Sequence, residues 1–182
     1  MKVLAMVGSL RKGSYNKLAL RAAIELKPEG MEIETADIGA LPLYDDDLRV
    51  EGYPPAVQKL RDQIKAADAL LFVTPEYNYS VPGVLKNAID WASRPPDQPL
   101  DGKPAAIMGA STGKLGTARA QYHLRQICVF VNVLPLNRPE VMLAGAAKLF
   151  DAEGRLTDEP TRKFIEDLLV SLETWTRRLQ DK

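Results

Sequence analysis

Short apolar runs alternate with segments of helical periodicity along the chain, and this alternation constrains the fold more than any other feature. The apolar runs are Val3 to Val7, Ala69 to Thr74 and Ala105 to Gly109, with a weaker alternating run at Met31 to Thr35 and an irregular one at Val133 to Val141. Such runs are typical of strands in a parallel sheet, and strands that alternate with helices predict βα units. The sequence therefore predicts an α/β protein with helices on both faces of the sheet.

Each apolar run is followed by apolar residues at helical spacing. The predicted helices include Asn16 to Leu26, the segments marked by Val57, Leu60 and Ile64 and by Leu85, Ala88, Ile89 and Ala92, one that ends at Ile127, and a last one with the stripe Phe164, Ile165, Leu168, Leu169, Leu172, Trp175 and Leu179. Gly39 to Pro55 is predicted to be a long loop. Five units in 182 residues favour a single flavodoxin-like domain, residues 1–182, with a five-stranded parallel sheet of order 2-1-3-4-5.

The composition excludes several classes of function. The 24 Lys and Arg residues balance the 24 Asp and Glu residues, so no bulk charge would attract nucleic acid or an anionic membrane. No apolar run approaches the roughly 18 residues of a membrane span, and no signal peptide is recognised. The single cysteine, Cys128, excludes an internal disulfide framework. We expect a cytoplasmic protein without nucleic-acid or membrane partners.

Three polar loops follow the first, third and fourth strands: GSLRKGSYN, PEYNYSVPG and ASTGKLG. In a sheet of order 2-1-3-4-5 these loops meet at the switch point, where doubly wound folds bind ligands. We therefore expect the functional site to lie between them.

The first loop has the residue types of a phosphate cradle. Gly8 and Gly13 allow it to bend, and Ser9, Ser14 and Asn16 supply neutral donors. Arg11 adds a guanidinium suited to phosphate oxygens, and the following helix adds a partial positive charge. The spacing fits neither a dinucleotide fingerprint nor a P-loop. An ordinary βα turn with Ser14 as a helix cap explains the same residues equally well.

The second loop combines aromatic side chains with main-chain and polar groups that can hydrogen-bond to a ligand. Pro75 stiffens the exit from the strand, Tyr77 and Tyr79 offer aromatic faces, and Asn78 and Ser80 add hydrogen bonding; Pro82 is expected in the first turn of the next helix. These residues suit a flat heteroaromatic ring, although a surface turn with packed tyrosines is the alternative.

No group for acid–base or covalent catalysis is evident in these loops. Glu76 is expected to be a solvated loop residue, and His123 and Cys128 lie within a helical pattern. Asp45 to Asp47 do not form a metal site, because three adjacent side chains point in different directions and no histidine supports them. We therefore predict no catalytic side chain and no metal site.

At these residues the chain resembles the NADPH-dependent FMN reductases, and within them the bacterial quinone, chromate and azo-dye reductases. GSLRKGSYN matches the motif G-S-x-R-x-x-S-x-N of that family, and PEYNYSVPGVLKNAIDW matches P-E-Y-N-x-S-x-P-G-x-L-K-N-x-I-D-W. The similarity extends from Val3 to the last helix and includes YHLRQ at Tyr122 to Gln126. The second motif is long and specific, so it favours the functional interpretation of both loops.

The resemblance implies bound FMN, with NADPH or NADH as co-substrate. It places the FMN phosphate at Ser9, Arg11, Ser14, Tyr15 and Asn16, and the isoalloxazine ring at Pro75, Glu76, Tyr77, Asn78 and Tyr79, with Ser111 near its far side. It also implies a homodimer or homotetramer. On this basis Arg125 is expected to pair with an acid of a neighbouring subunit, for which Glu140 is one candidate.

The function predicted from these features is an NAD(P)H-dependent FMN reductase or quinone reductase. Azo compounds, chromate and free flavin are further acceptors, and one shared flavin face predicts a ping-pong scheme. The alternatives are a flavodoxin-type electron carrier, which is usually more acidic than this neutral chain, and a sensor or scaffold that has kept the fold. No acidic ribose-binding position is identified, so the sequence does not distinguish NADH from NADPH.

Overall fold

Six parallel strands form one sheet in the computed structural model, which describes residues 1–180. The strands are β1 (Lys2–Val7), β2 (Glu32–Thr35), β3 (Ala69–Val73), β4 (Pro104–Ala110), β5 (Leu134–Pro135) and β6 (Val141–Leu143). Their order is β2-β1-β3-β4-β5, and β6 also pairs with β4. This confirms the predicted flavodoxin-like order and adds a sixth strand.

Within residues 1–180, six α-helices accompany the sheet. They are α1 (Tyr15–Leu26), α2 (Asp46–Glu51), α3 (Pro55–Ala66), α4 (Gly83–Ala92), α5 (Ala118–Phe130) and α6 (Glu159–Gln180). Residues of α1 and α6 share one apolar core with one face of the sheet, whereas residues of α3, α4 and α5 share a second core with the other face. The helices therefore cover both faces, as predicted.

The central strands are buried on both sides. Along β1, Val3, Ala5 and Val7 belong to the first core, whereas Leu4 and Met6 belong to the second. Because a one-residue slip would exchange the two sets of side chains, this packing fixes the register of the strands. A fixed register also fixes the position of each loop at the carboxyl end of the sheet.

Two expectations from the sequence are wrong in detail. The segment Gly39 to Pro55 is not a continuous loop, because it contains α2, whose first turn is capped when the Asp45 carboxylate accepts from the Asp47 N–H at 3.0 Å. Asp45 to Asp47 therefore begin a helix, where negative charge is favourable. Pro82 precedes α4 as its N-cap residue and is not in its first turn.

The C-terminal third of the chain holds the other differences. The segment Val133 to Val141 is not one strand: it contains β5 (Leu134–Pro135) and the first residue of β6 (Val141–Leu143), and both strands pair with β4. In α6, Phe164 is 55% exposed and does not join the apolar stripe, although Ile165, Leu168 and Leu172 are buried. None of the helices within residues 1–180 combines the length and apolar character needed to cross a membrane.

Candidate functional site

The loops after β1, β3 and β4 line a common cavity of about 200 Å³ at the carboxyl end of the sheet. Its lining comprises Ser9, Arg11, Ser14, Tyr15, Asn16, Pro75, Glu76, Tyr77, Ala110, Ser111 and Thr112. Nine of the eleven cofactor-binding residues proposed from the sequence lie in this lining, while Asn78 and Tyr79 belong to the same β3–α4 loop but lie outside it. The structure therefore brings together residues that are more than a hundred positions apart in the chain.

The β1–α1 side of the cavity is suited to an anion. Ser14 is the N-cap residue of α1, its side chain makes no capping hydrogen bond, and the first turn contains no acid. The first N–H groups of a helix lack partners within the helix and carry partial positive charge. Ser9 and Ser14 are nearly buried, and the Arg11 guanidinium donates to the carbonyl of Gly13 at 3.0 Å. These groups fit a phosphate monoester.

Two residues of this lining use their side chains for structure. The Asn16 amide donates to the carbonyl of Ala110 and accepts from its N–H, both at 2.9 Å, and so joins the start of α1 to the end of β4. The Tyr15 ring packs against Phe150, with 5.9 Å between centroids. For Asn16 in particular, the main-chain N–H is the group that remains available to a ligand.

The β3–α4 loop makes a tight turn that presents its tyrosines. Tyr77 and Ser80 exchange two main-chain hydrogen bonds of 3.1 and 3.0 Å, and the residues between them, Asn78 and Tyr79, have positive φ angles of 49° and 67°. This is the pattern of a type I′ turn. Tyr77 and Tyr79 are about half exposed or more, and the Tyr77 hydroxyl lies 3.5 Å from the Ser9 Oγ. The turn therefore extends the aromatic surface from the cavity outwards.

Glu76 holds this loop against the start of α5. Its carboxylate accepts from the main-chain N–H groups of Arg119 and Ala120 at 3.0 and 3.2 Å and from the Arg119 guanidinium at 2.9 Å. The same guanidinium lies 3.7 Å from the centre of the Tyr79 ring. Glu76 is therefore a helix cap, so the expectation of a solvated carboxylate is wrong, and it is not free to act as a base.

Arg119 was not predicted from the sequence to lie near the site, although its side chain contacts two residues of the β3–α4 loop. Arg119 follows Glu76 by 43 positions and precedes the YHLRQ segment of α5, so neither recognised loop motif includes it. His123, one turn further along α5, has its Nδ1 3.0 Å from the Ser80 Oγ. Both contacts arise because α5 packs beside the loop, and no local signal in the sequence indicates them.

Close packing at Gly109 fixes the start of the β4–α5 loop. A Cβ at Gly109 would lie 2.2 Å from both the Thr117 Oγ1 and the Thr74 carbonyl oxygen. Thr117 is buried with a φ angle of 86°, and its hydroxyl accepts from the Gln121 amide at 3.1 Å. Only glycine fits at this position, because the side chain of Thr117 occupies the space where a larger residue would extend.

The remaining reactive groups lie away from the cavity. Cys128 is buried in the second core, and this burial raises the pKa of its thiol to about 12. The acids Asp45 to Asp47 lie at the start of α2. Within residues 1–180, no group of three or more His, Cys, Asp or Glu side chains is arranged to hold a metal ion.

Comparison with known proteins relates this arrangement to flavoenzymes. Residues 1–148 match the model of the family described as NADPH-dependent FMN reductase. An NAD(P)H-dependent FMN reductase of Pseudomonas aeruginosa is 63% identical over 180 residues, which cover 99% of this chain and 97% of that protein. A quinone reductase of Escherichia coli K12 is 44% identical over 183 residues, covering 99% and 97%. The structure of a flavoenzyme NAD(P)H:(acceptor) oxidoreductase from Paracoccus denitrificans superposes with a TM-score of 0.90 at 40% identity, covering 97% of each chain.

Proposed function

The chain belongs to the NADPH-dependent FMN reductase family, and from this membership we propose that it uses NAD(P)H and bound FMN to reduce quinones. The observation that carries the proposal is the shared cavity, in which an anion-binding helix start lies beside an aromatic turn. These two features match the phosphate and the flat ring of a phosphorylated heteroaromatic ligand. The names of the relatives supply the reaction, since both FMN reductases and quinone reductases match nearly the full chain.

The residues around the cavity fit FMN. Ser9, Ser14, Arg11 and the N–H groups of Tyr15 and Asn16 would hold the phosphate. The ring would lie against Pro75, Glu76 and Tyr77, with Ser111 near its far side. Asn78 and Tyr79, in the turn just outside the lining, would extend this contact. Bound FMN supplies the hydride-transfer chemistry, and the protein binds, orients and tunes it.

The side chains near the cavity position the ligand and take no part in proton transfer. Glu76 is occupied by three hydrogen bonds, and the Cys128 thiol is buried with a raised pKa. Neither group is therefore available as a base or nucleophile. A site without a second reactive group supports a ping-pong scheme, in which NAD(P)H and the acceptor use one flavin face in turn.

Quinones are the first choice of acceptor, and azo compounds, chromate and free flavin are secondary candidates. The proposal also includes a cytoplasmic homodimer or homotetramer without nucleic-acid or membrane partners. The main rival function is a flavodoxin-type carrier that has no substrate site of its own.

The test is anaerobic mixing of the FMN-loaded protein with NADH or NADPH, followed by a panel of acceptors. We expect the nicotinamide alone to bleach the flavin by two electrons, and quinone then to restore its colour. Initial-rate plots at fixed quinone concentrations should be parallel. Intersecting lines would contradict the ping-pong scheme. A flavin that stays oxidised with both nicotinamides, or stops after one electron, would favour the carrier.

A further inference from the structure

Among residues 1–180, the lining of the shared cavity contains two charged side chains, Arg11 and Glu76. Arg11 lies on the phosphate side, where a guanidinium meets a ligand group of opposite charge. Glu76 lies on the side proposed for the ring, and its side chain is only 12% exposed. A carboxylate in such a poorly hydrated position interacts more strongly with a nearby charge than an exposed carboxylate does. The charge of Glu76 therefore affects any ring that gains charge beside it.

The charge of the Glu76 carboxylate is balanced by groups from the start of α5. The main-chain N–H groups of Arg119 and Ala120 donate to it at 3.0 and 3.2 Å. These groups carry only the partial positive charge of a helix N-terminus, about half a unit. The Arg119 guanidinium donates to the same carboxylate at 2.9 Å and supplies a full positive charge. Loss of this guanidinium would therefore leave net negative charge on the ring side of the cavity.

Arg119 is held beside Glu76 but does not itself line the cavity. Its guanidinium lies 3.7 Å from the centre of the Tyr79 ring, and its side chain is 37% exposed. The contact with Tyr79 and the bond to Glu76 together fix the orientation of the guanidinium. Any effect of Arg119 on a ligand in the cavity must therefore act through the charge of Glu76.

The charge on the ring side is important because a flavin changes charge when it is reduced. The oxidised isoalloxazine ring is neutral, whereas the ring that has gained two electrons carries a negative charge at N1 near neutral pH. Protein charges near N1 and N5 tune this change. A carboxylate without a balancing cation would weaken binding of the reduced flavin more than binding of the oxidised flavin. It would therefore lower the midpoint potential of the bound cofactor.

We propose that Arg119 is a positioning residue that sets the reduction potential of bound FMN by neutralising Glu76. This inference rests on the proposed function, since it requires the flavin ring to lie against Glu76. No electron or proton passes through Arg119. Its charge changes only the relative affinity of the protein for the two redox states of the flavin.

The test compares the dissociation constants of oxidised and reduced FMN. Fluorescence titration of the apoprotein gives the first constant, and photochemical reduction against a reference dye gives the midpoint potential, from which the second follows. Arg119→Met should raise the constant for reduced FMN relative to that for oxidised FMN about tenfold, which lowers the two-electron potential by about 30 mV. Glu76→Gln should shift this ratio in the opposite direction, because the charge of Arg119 is then unopposed.

Three further variants separate the effect of charge from a change in structure. Arg119→Lys keeps the charge and should leave the ratio close to that of the unsubstituted protein. Arg177→Met removes a guanidinium from an ion pair with Glu173 on α6, outside the cavity, and should leave the ratio unchanged. The double variant Arg119→Met/Glu76→Gln removes both charges, so its ratio should return towards the original value.

The proposal is overturned if Arg119→Met leaves the ratio unchanged, or if Arg119→Met and Glu76→Gln shift it in the same direction. Photochemical reduction needs no nicotinamide, so these results are independent of the proposed reaction. A protein whose potential responds as expected, but whose flavin is not reduced by NAD(P)H, contradicts only the proposed function. A protein that binds no FMN contradicts both.

Discussion

The charged side chains around the cavity differ in how many hydrogen bonds they already make within the protein. The Glu76 carboxylate accepts three hydrogen bonds, whereas Arg11 donates to one main-chain carbonyl on its own loop. A guanidinium has five N–H donors, so Arg11 keeps donors for a phosphate. Lys12 is its exposed neighbour and does not line the cavity. The adjacent cations are therefore expected to contribute unequally to binding.

Arg11→Ala should weaken FMN binding by about 1.5–3 kcal/mol, the usual contribution of a hydrogen bond to a charged group. The change is measured by fluorescence titration of the apoprotein. Lys12→Ala removes the same charge outside the cavity and should have a much smaller effect. Riboflavin lacks the phosphate, so its affinity should hardly change; equal losses for FMN and riboflavin would place Arg11 away from the phosphate.

Among residues 1–180, Asp46 is the acid whose pKa is lowered most. Hydrogen bonds from the Arg49 Nε at 2.6 Å and the Tyr44 hydroxyl at 2.7 Å lower the pKa of this exposed carboxyl to about 2. Because the pKa is lower in the folded state, the ionised carboxylate favours folding above its unfolded value of about 3.9. That contribution is lost as the pH falls towards 2.

Arg49→Ala should raise the pKa of Asp46 towards its ordinary value, because the larger of its two stabilising hydrogen bonds is removed. Carboxyl-carbon NMR titration measures this pKa directly. Arg21→Ala, which removes an exposed pair with Glu25, is the control and should leave it unchanged. An unchanged Asp46 pKa in Arg49→Ala would contradict the assigned cause.

Among the elements, the start of α5 determines the position of the β3–α4 loop. Glu76 caps α5 from that loop, Arg119 contacts both Glu76 and Tyr79, and His123 contacts Ser80. Tyr79 has a φ angle of 67°, which a bulky residue adopts only when its surroundings hold it there. The loop conformation therefore depends on the packing of a helix that follows it by some forty residues.

Glu76→Gln should lower the free energy of unfolding by about 1–2 kcal/mol, because a charged helix cap and an ion pair are lost together. Urea unfolding measures this change. The exposed Glu29→Gln is the matched control, and its change should stay within about 0.5 kcal/mol. Equal stability of the two variants would show that the cap does not hold the loop against α5.

Gly109→Ala should destabilise the protein by about 2 kcal/mol or more, because a Cβ there would meet the backbone oxygen of Thr74 and the hydroxyl of Thr117. Gly83→Ala is the control, since a Cβ at Gly83, the first residue of α4, has no atom within 4 Å. Both are measured by urea unfolding. A fully stable Gly109→Ala variant would mean that β4 and Thr117 can move apart at no cost.

At the scale of the whole molecule, the four most exposed large apolar side chains among residues 1–180 lie at two places. Val129 and Phe130, at the end of α5, are 81% and 85% exposed, and Leu43 and Val50, around α2, are 83% and 73% exposed. Surfaces of this kind are often contact sites. Arg125, expected to pair with a neighbouring subunit, donates within its own chain to the carbonyl of Leu136 at 3.0 Å. This single bond leaves other donors of the Arg125 guanidinium for a neighbouring subunit, so Arg125 and the exposed apolar residues are both expected at subunit contacts.

Light scattering at micromolar concentration should give a mass of at least twice the chain mass of 20.1 kDa, as a dimer or tetramer. Phe130→Ser and Val50→Ser each remove one exposed apolar group and should reduce association if that patch lies in the interface. Phe164→Ser, on the exposed side of α6, is the comparison. A monomer of the unsubstituted chain at this concentration would contradict the predicted assembly.

The sequence by itself determined the order of the sheet and most of the residues that line the shared cavity. Apolar periodicity is local, so the strands of the buried core could be identified from runs such as Ala69 to Thr74, and their order brought the three polar loops together. Two contiguous motifs, GSLRKGSYN and PEYNYSVPG, supplied all of the proposed binding residues except Ser111. Short weak elements were less predictable: α2 and the division of the fifth strand have little apolar pattern of their own.

Only the tertiary structure decided which polar groups of the cavity residues remain available to a ligand. The Asn16 side chain is hydrogen-bonded to the main chain of Ala110, and the Glu76 carboxylate caps α5. Arg119 and His123 contact the β3–α4 loop from a helix that is distant in the sequence. The physical reason is that periodicity records which face of an element is buried, whereas hydrogen-bond partners depend on three-dimensional packing between segments that share no local pattern.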